Sequence, residues 1–156
     1  MHGRKRGRLL LDIFRRQIRP ALPEAQMWCV CERPEDETEG DGVRWMGRIE
    51  QSTLVDLYRR AWVFCLPSTY EGFGVPYIEA MASGVPVVAS PNVGAREVTH
   101  NGRDGILAED SELGTRLLHL LQDASTRALW RQRGLQRAQD FSWGRVCQQY
   151  EEVYQN

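Results

Sequence analysis

Short apolar runs alternate with amphipathic stretches along most of the chain. An apolar run bounded by turn residues is typical of a strand, and apolar positions three or four residues apart are typical of a helix. The runs predict strands over residues 26–30, 43–46, 63–66, 85–89 and 105–108. The amphipathic stretches predict helices over residues 9–18, 53–61, 76–83 and 95–100, and others N-capped at Ser111, Ser125 and Ser142, with Thr53 in a capping box. This alternation predicts an α/β fold, a Rossmann-like parallel sheet flanked by helices.

A glycine-rich turn follows the apolar run at residues 63–66, which we expect to be a fully buried parallel strand. The sequence of residues 70–81, YEGFGVPYIEAM, predicts a turn and a helix start at the carboxyl end of that strand. Ligand-binding sites of parallel α/β sheets lie at this edge. Gly72 and Gly74 allow a ligand to approach the main chain closely, and Pro76 suits the first position of a helix, where its missing N–H costs nothing. Because a helix start carries free N–H groups and partial positive charge, this segment predicts an anion site suited to phosphate.

Two carboxylates bracket the predicted anion site. Glu71 lies in the turn, and Glu79 lies about one turn into the helix, with its side chain tilted back towards the helix start. A carboxylate repels phosphate but accepts hydrogen bonds from sugar hydroxyls, so the pair indicates a ligand with both sugar and phosphate, such as a nucleotide sugar. The alternative is a structural role for each glutamate, as a helix-start charge that favours the helix dipole.

The text around these glutamates, PSTYEGFGVPYIEAMASGVPVVAS, resembles the donor-binding motif of the retaining glycosyltransferases of family 4. In that motif two glutamates are separated by seven residues, as Glu71 and Glu79 are here. The resemblance extends over nearly the whole chain. It implies a GT-B enzyme with two Rossmann-like domains, of which this chain is the C-terminal, donor-binding half.

The resemblance also implies roles for residues of the turn. Glu79 would bind the ribose hydroxyls, and Glu71, the candidate catalytic residue, would contact the donor sugar. The sugar or diphosphate would lie against the main chain of Gly72, Phe73, Gly74 and Val75.

Two further segments are donor-site candidates because of the same resemblance. The lysine that follows the first strand of the family's donor domain corresponds to Lys5 or Arg6, either of which would reach the diphosphate. The family's partner arginine lies a few residues upstream, and Arg4 is too close to fill that place. The alternative is a solvated, frayed chain start. The loop Gly47, Arg48 and Ile49 would lie by the nucleotide base, although Arg48 could equally be a surface charge.

Other segments have weaker signals. The resemblance places Glu97 near the donor, but Glu97 is also explained as a carboxylate at a helix start. We interpret His100 as an exposed helix-end residue rather than a catalytic base. The acidic stretch at residues 32–42, ERPEDETEGDG, predicts a loop where many relatives have a helix.

Composition limits the classes of function. The 156 residues suffice for one globular domain, and the net charge of -1 gives no case for nucleic acid as a partner. No stretch approaches the roughly 20 apolar residues of a membrane span, and no signal peptide is visible, so we expect a cytoplasmic protein, with peripheral membrane association left open. The spacing of Cys29, Cys31, Cys65 and Cys147 indicates buried free thiols rather than a metal site or a disulfide. The resemblance to the GT-B family implies no metal, and we expect no cofactor.

These patterns predict the donor-binding domain of a hexosyltransferase. It would transfer a hexose-type group from a nucleotide-diphosphate sugar to an unknown saccharide, lipid or small-molecule acceptor. We expect residues 1–156 to be a single domain with a truncated start, residues 142–156 to form a C-terminal helix, and an acceptor domain to be missing, so that the isolated chain is inactive. The alternatives are a non-catalytic nucleotide-sugar-binding fragment, or an enzyme of another reaction type on the same fold, such as a nucleotide-sugar epimerase or a phosphorylase.

Overall fold

A computed structural model describes residues 3–154 of the chain. Met1 and His2, where the predicted domain of residues 1–156 begins, lie outside the described residues. Gln155 and Asn156, the last two residues of the predicted segment 142–156, do so as well.

The first helical stretch is longer than predicted. Helix α1 (Gly7–Ile13) continues as a π-helical turn (Phe14–Ile18) and ends in a short α-helical turn, α2 (Arg19–Ala21). The predicted end before Pro20 is therefore wrong. The π-helical turn changes the hydrogen-bonding register, and Pro20 lies at the start of the new α-helical turn, where a missing N–H costs little.

All strand ladders among the described residues are parallel, but they form two sheets. In the first sheet β1 (Met27–Cys29) pairs with β2 (Val43–Trp45). The second sheet has the order β3, β4, β5, formed by Phe64–Leu66, Val87–Ala89 and Ile106–Leu107. The predicted parallel α/β architecture is confirmed, and within residues 3–154 its strands are divided between these two sheets.

The position of each strand in its sheet decides its burial. Strand β4 has a neighbour on both sides, and its three residues are fully buried. Strand β3 is an edge of its sheet, with Phe64 opposite Val87, and its residues are only half-buried. The prediction of full burial for residues 63–66 is therefore wrong, because the apolar run does not reveal which strands lie at an edge.

The side chains of β4 alternate between two hydrophobic cores. Val88 packs into the core formed with α1, the π-helical turn and α6 (Asp110–Gln122). Val87 and Ala89 point to the opposite face, into a core with α3 (Gln51–Arg60), α4 (Val75–Ala82) and α5 (Val93–Val98). This period-two alternation makes β4 the strand on which both helical layers pack.

The remaining segments are a loop and three helical elements. Residues 32–42 form no helix, as predicted, and this loop is tied to the first helical stretch by ion pairs from Arg8 to Asp36 and from Arg15 to Glu37. Helix α7 (Ala124–Ala138) continues into a 3₁₀ turn and then α8. These last two elements have the bounds Gln139–Phe141 and Trp143–Tyr154.

The predicted helix caps are largely wrong. Helix α3 begins two residues before Thr53, and neither α3 nor α6 has a side-chain cap bond. The cap of α7 is Asp123 instead of Ser125. The Asp123 carboxylate accepts hydrogen bonds from the backbone and hydroxyl groups of Ser125 and Thr126, and these bonds hold its pKa well below the usual range.

Two of the four cysteines contradict the prediction of buried thiols. Cys31 and Cys147 are exposed, while burial raises the pKa of the thiols of Cys29 and Cys65 to about 12. All four are free. Within residues 3–154, none of the helices has the length and apolar character needed to cross a bilayer.

Candidate functional site

Glu71 and Glu79 lie where the sequence places them, at the carboxyl end of β3. Glu71 is in the turn after the strand and is 6% exposed, and its carboxylate accepts a hydrogen bond of 2.8 Å from the Ser68 hydroxyl. Glu79 is on α4 and half-buried, and one of its oxygens lies 3.5 Å from the hydroxyl of Tyr58. Neither glutamate forms an ion pair with a cation of the described residues, so both carboxylates keep acceptor capacity for a polyhydroxylated ligand.

The start of α4 has the geometry of an anion site. Gly74 is the N-cap residue in the left-handed conformation, with φ of 88°, and no side chain caps this helix. A side chain at Gly74 would also collide with the ring of Tyr77, because its Cβ would lie 2.5 Å from that ring. Helix α4 begins at Val75, with Pro76 next, so the first N–H groups face the turn. This is the position where an anion is stabilised by the helix dipole.

Gly72 is less constrained than Gly74. A Cβ at this position would meet only the Tyr70 hydroxyl, at 3.9 Å, which is an ordinary contact. The glycine there is not required by packing within residues 3–154. Room beside the main chain is what a ligand approaching the turn would need.

A second loop, at the carboxyl end of β4, holds the turn in place. The Gly94 N–H donates to the Glu71 carbonyl at 3.0 Å, and a Cβ on Gly94 would lie 2.6 Å from that same oxygen. Asn92 donates through Nδ2 to the carbonyls of Ser68 and Ser90, at 3.0 and 3.1 Å. The glycine thus lets the two loops touch, and the amide ties them together.

Asn92 also starts the helix that carries Gly94. Its Oδ1 accepts the N–H of Ala95 at 2.9 Å, so one buried side chain caps α5 and bonds to the loop of the neighbouring strand. Sequence analysis missed Asn92 and Ser68 as site residues. The signals that could have found them were an asparagine at a helix N-cap and a serine three residues before Glu71.

The start of the described chain lies at the same sheet edge. The Arg4 carbonyl accepts the N–H of Thr69 at 2.8 Å. The Arg6 side chain donates to the Pro67 carbonyl and to the Ser90 hydroxyl, and forms an ion pair with Asp110, each at 2.7 Å. The alternative of a frayed, solvated start is therefore wrong for Arg6.

Lys5 and Arg6 differ in their environments. The Arg6 guanidinium is bonded to three protein groups, whereas Lys5 is exposed. Of the two residues considered for the diphosphate, Lys5 has the free side chain and Arg6 has a structural position. Beside Arg6 a shallow cavity of about 530 Å³ opens, and its polar lining includes Ser68, Thr69, Ser90, Glu109 and Asp110.

The other candidate residues lie apart from the two glutamates. Gly47 has φ of 60° and donates its N–H to the Cys31 carbonyl at 3.2 Å, so the loop of Gly47, Arg48 and Ile49 lies beyond the ends of β1 and β2. Arg48 is exposed. Within residues 3–154, no hydrogen bond or ion pair joins this loop to either glutamate.

Glu97 and His100 are exposed, and each has its ion-pair partner outside the turn. The exposed Glu97 carboxylate lies 3.9 Å from Arg137, and the exposed His100 lies 3.4 Å from Asp104. The prediction that His100 is an exposed residue at a helix end is confirmed.

Comparison with known proteins identifies the family. Residues 1–123, which include the turn and both glutamates, match the family described as glycosyl transferases group 1. The chain belongs to this family. The resemblance inferred from the two-glutamate motif is thereby confirmed.

The curated relatives of this glycosyltransferase family are much longer than the chain. O-antigen chain mannosyltransferase B of Escherichia coli is 36% identical in an alignment of 146 positions that covers 92% of this chain and 36% of that protein. Phosphatidyl-myo-inositol mannosyltransferase of Mycolicibacterium smegmatis is 32% identical in an alignment of 144 positions that covers 86% of this chain and 37% of that protein. The chain therefore spans little more than a third of these relatives.

Solved structures of the family have the same fold. Sucrose-phosphate synthase from Thermosynechococcus elongatus superposes with a TM-score of 0.80 and 26% identity, over 97% of this chain and 42% of that one. The C-terminal domain of a group 1 glycosyltransferase from Francisella tularensis gives a TM-score of 0.76 at 20% identity, over 89% and 80%. The predicted fold, an α/β domain of the GT-B type, is confirmed.

Proposed function

We propose that the chain is the donor-binding part of a retaining glycosyltransferase, which moves a hexose-type group from a nucleotide-diphosphate sugar to an acceptor. The observation that carries this proposal is the arrangement of Glu71 and Glu79 around the uncapped start of α4. Two carboxylates that can accept hydrogen bonds from sugar hydroxyls lie on either side of an anion site. This arrangement suits a ligand in which a diphosphate joins a ribose to a hexose. Two relatives are named mannosyltransferases, which makes mannose our first choice for the hexose.

In the proposed mechanism the diphosphate is the leaving group, and its charge grows as the glycosidic bond breaks. The N–H groups at the start of α4 and the free amine of Lys5 stabilise that charge without moving, which lowers the barrier. Glu79 binds the ribose hydroxyls, and Glu71 contacts the donor sugar. Retention of configuration and independence from metal come from the resemblance to family 4 alone.

The short span of the chain favours a second candidate function. Because it corresponds to little more than a third of the relatives' length, the isolated chain could bind the nucleotide sugar without transferring it. The acceptor, whether saccharide, lipid or small molecule, would then be supplied and held by another part of a longer enzyme. The family match gives no support to an epimerase or a phosphorylase.

Calorimetric titration tests the proposed donor site. The wild-type chain is titrated with UDP, GDP and ADP, and then with UDP-glucose and GDP-mannose. We expect one nucleotide to bind, and Glu79→Ala to weaken it roughly 10- to 100-fold, because a hydrogen bond to a charged group is lost. Glu71→Ala should leave the free nucleotide within about threefold and remove the additional affinity for the nucleotide sugar.

Glu112→Ala is the matched control, because Glu112 is an exposed carboxylate whose ion-pair partner is Arg116 on the same helix, α6. It should bind as the wild type does. Equal losses of free nucleotide from Glu71→Ala and Glu79→Ala would contradict the separate roles. Absence of any nucleotide binding would contradict a preformed donor site in this chain.

A further inference from the structure

Tyr58 is a buried residue outside the glycine-rich turn that contacts one of the two glutamates. It lies on α3, is 7% exposed, and its hydroxyl is 3.5 Å from Oε2 of Glu79 on the neighbouring helix α4. Its ring packs edge to face against Phe64 of β3, with 5.5 Å between the ring centroids. The phenol is therefore held by packing, and the hydroxyl has a fixed position next to Glu79.

The chemistry of the pair sets the direction of the hydrogen bond. Burial and the neighbouring negative charge of Glu79 raise the pKa of the Tyr58 phenol far above its ordinary value. The phenol accordingly keeps its proton at neutral pH. An ionised carboxylate can only accept, so the Tyr58 hydroxyl donates to Glu79.

A half-buried glutamate on a helix has several rotamers, and only some of them direct its carboxylate towards the turn. A buried donor 3.5 Å from one carboxylate oxygen favours the rotamers that keep the two groups in contact. The second oxygen, Oε1, has no protein partner among residues 3–154. It remains free to accept hydrogen bonds from a ligand.

We propose that Tyr58 is a positioning residue, which holds Glu79 so that its free oxygen accepts hydrogen bonds from the two ribose hydroxyls of the donor nucleotide. This inference rests on the proposed donor site and extends it to α3, outside the two-glutamate motif. The consequence is a preference for ribonucleotides that depends on a phenolic hydroxyl. Because the carboxylate is placed before the ligand arrives, less freedom is lost on binding.

The test compares the chain's ligand, the one of UDP, GDP and ADP that binds, with its 2′,3′-dideoxy analogue. Tyr58→Phe removes the hydroxyl and keeps the ring packed against Phe64. We expect calorimetry to show a roughly 3- to 10-fold loss of affinity for the ribonucleotide and no change for the dideoxynucleotide, as for one lost hydrogen bond. In a Glu79→Ala background the same substitution should have no further effect, since the two residues act through one contact.

Tyr77→Phe is the matched control. Tyr77 is another buried tyrosine, and its ring lies 6.3 Å from that of Phe64, but its hydroxyl donates to the Leu66 carbonyl and not to Glu79. It should leave the ratio of the two affinities within about twofold of the wild type. If Tyr58→Phe leaves the ratio of the two affinities unchanged, whether both fall equally or neither falls, the inference is overturned.

The outcomes separate this inference from the proposed function. If Glu79→Ala abolishes the preference for ribose while Tyr58→Phe does not reduce it, only the role of Tyr58 fails. If the wild type binds no nucleoside diphosphate, or shows no preference for ribose, the donor site and this inference both fail.

Discussion

Gly94 and Glu71 touch through their main chains. The Gly94 N–H donates to the Glu71 carbonyl at 3.0 Å, and the space where a Cβ of Gly94 would lie is occupied by that oxygen and by the Phe73 carbonyl, at 2.6 and 3.0 Å. The contact joins the loop after β4 to the turn after β3. The turn that carries Glu71 is thus shaped by a residue in another βα unit.

We expect Gly94→Ala to displace the turn, because both obstructing atoms belong to the backbone and cannot rotate away. The overpacking should lower the free energy of unfolding by about 1–3 kcal/mol and lower the affinity for the nucleotide at least 10-fold. Chemical denaturation and calorimetric titration measure the two effects. Gly144→Ala, at a position where a Cβ would meet nothing within 4 Å, is the control that should do neither. Wild-type affinity in Gly94→Ala would show that the contact does not shape the site.

Lys5 and Arg6 should separate into a ligand-binding and a structural residue. Arg6→Ala removes two hydrogen bonds at the carboxyl ends of β3 and β4 and an ion pair with Asp110 at the start of α6, so we expect a lower melting temperature. Lys5→Ala removes an exposed amine and should leave the melting temperature within about 2 °C of the wild type, because surface substitutions have small effects. The affinity of Lys5→Ala for the nucleoside diphosphate should fall, and it should depend less on salt concentration because one positive charge is missing.

Lys5→Arg, which keeps the positive charge, is the control for the diphosphate contact. It should recover most of the affinity that Lys5→Ala loses. The assignment would be contradicted if Arg6→Ala lost the nucleotide but not stability while Lys5→Ala changed neither.

The family and the donor turn were predictable from sequence because their signals are local. The glycines, the proline and the spacing of Glu71 and Glu79 lie within one stretch, and the structure places that stretch at the start of α4 as expected. The parallel strands were predictable for the same reason, since each is an apolar run. Predicted helix ends differ mainly by a few residues.

The sequence has local signals for Asn92 and Ser68 taken singly, but it could not predict which residues meet, because the supports of the site join segments that are distant in sequence. Asn92 bonds to Ser68 across 24 positions, and Arg6 bonds to Ser90 across 84. The choice of Asp123 rather than Ser125 as a cap depends on backbone geometry at the helix start. The burial of β3 depends on its place at a sheet edge, which an apolar run does not reveal.

Asp123 should make the stability of α7 depend on pH. Its four hydrogen bonds lower the pKa of the carboxyl in the folded chain below the ordinary value of about 4. A carboxylate with a lowered folded pKa stabilises the fold above the unfolded pKa, and the stabilisation is lost as the pH falls towards the folded pKa. Asp123→Ala should therefore melt below the wild type at pH 7, and the gap should shrink below about pH 4. A gap independent of pH would contradict this account; Asp56→Ala, at an exposed carboxylate, is the control.

Phe141 packs against the donor turn from the C-terminal part of the chain. Its ring meets that of Phe73 edge to face, with 5.7 Å between centroids, and the guanidinium carbon of Arg137 lies over the Phe141 ring, 4.6 Å from the ring centroid. Arg137 in turn donates to the carbonyls of Val98 and Glu97, at the end of α5. Helix α5 therefore contacts the turn through Gly94 at its start, and the carbonyls at its end hold Arg137, which lies against Phe141.

We expect Phe141→Ala to loosen the turn around Phe73. An aromatic pair contributes about 0.5–1.5 kcal/mol beyond the buried area, so nucleotide affinity should fall several-fold if part of that energy holds the turn in its binding conformation. Trp143→Ala removes a larger ring two residues away, but that ring is 83% exposed and should leave affinity unchanged. Calorimetric titration of both variants with the nucleotide shows whether Phe141 supports the site or acts only as a surface ring. Equal affinity in Phe141→Ala and Trp143→Ala would mean that the turn keeps its shape without Phe141.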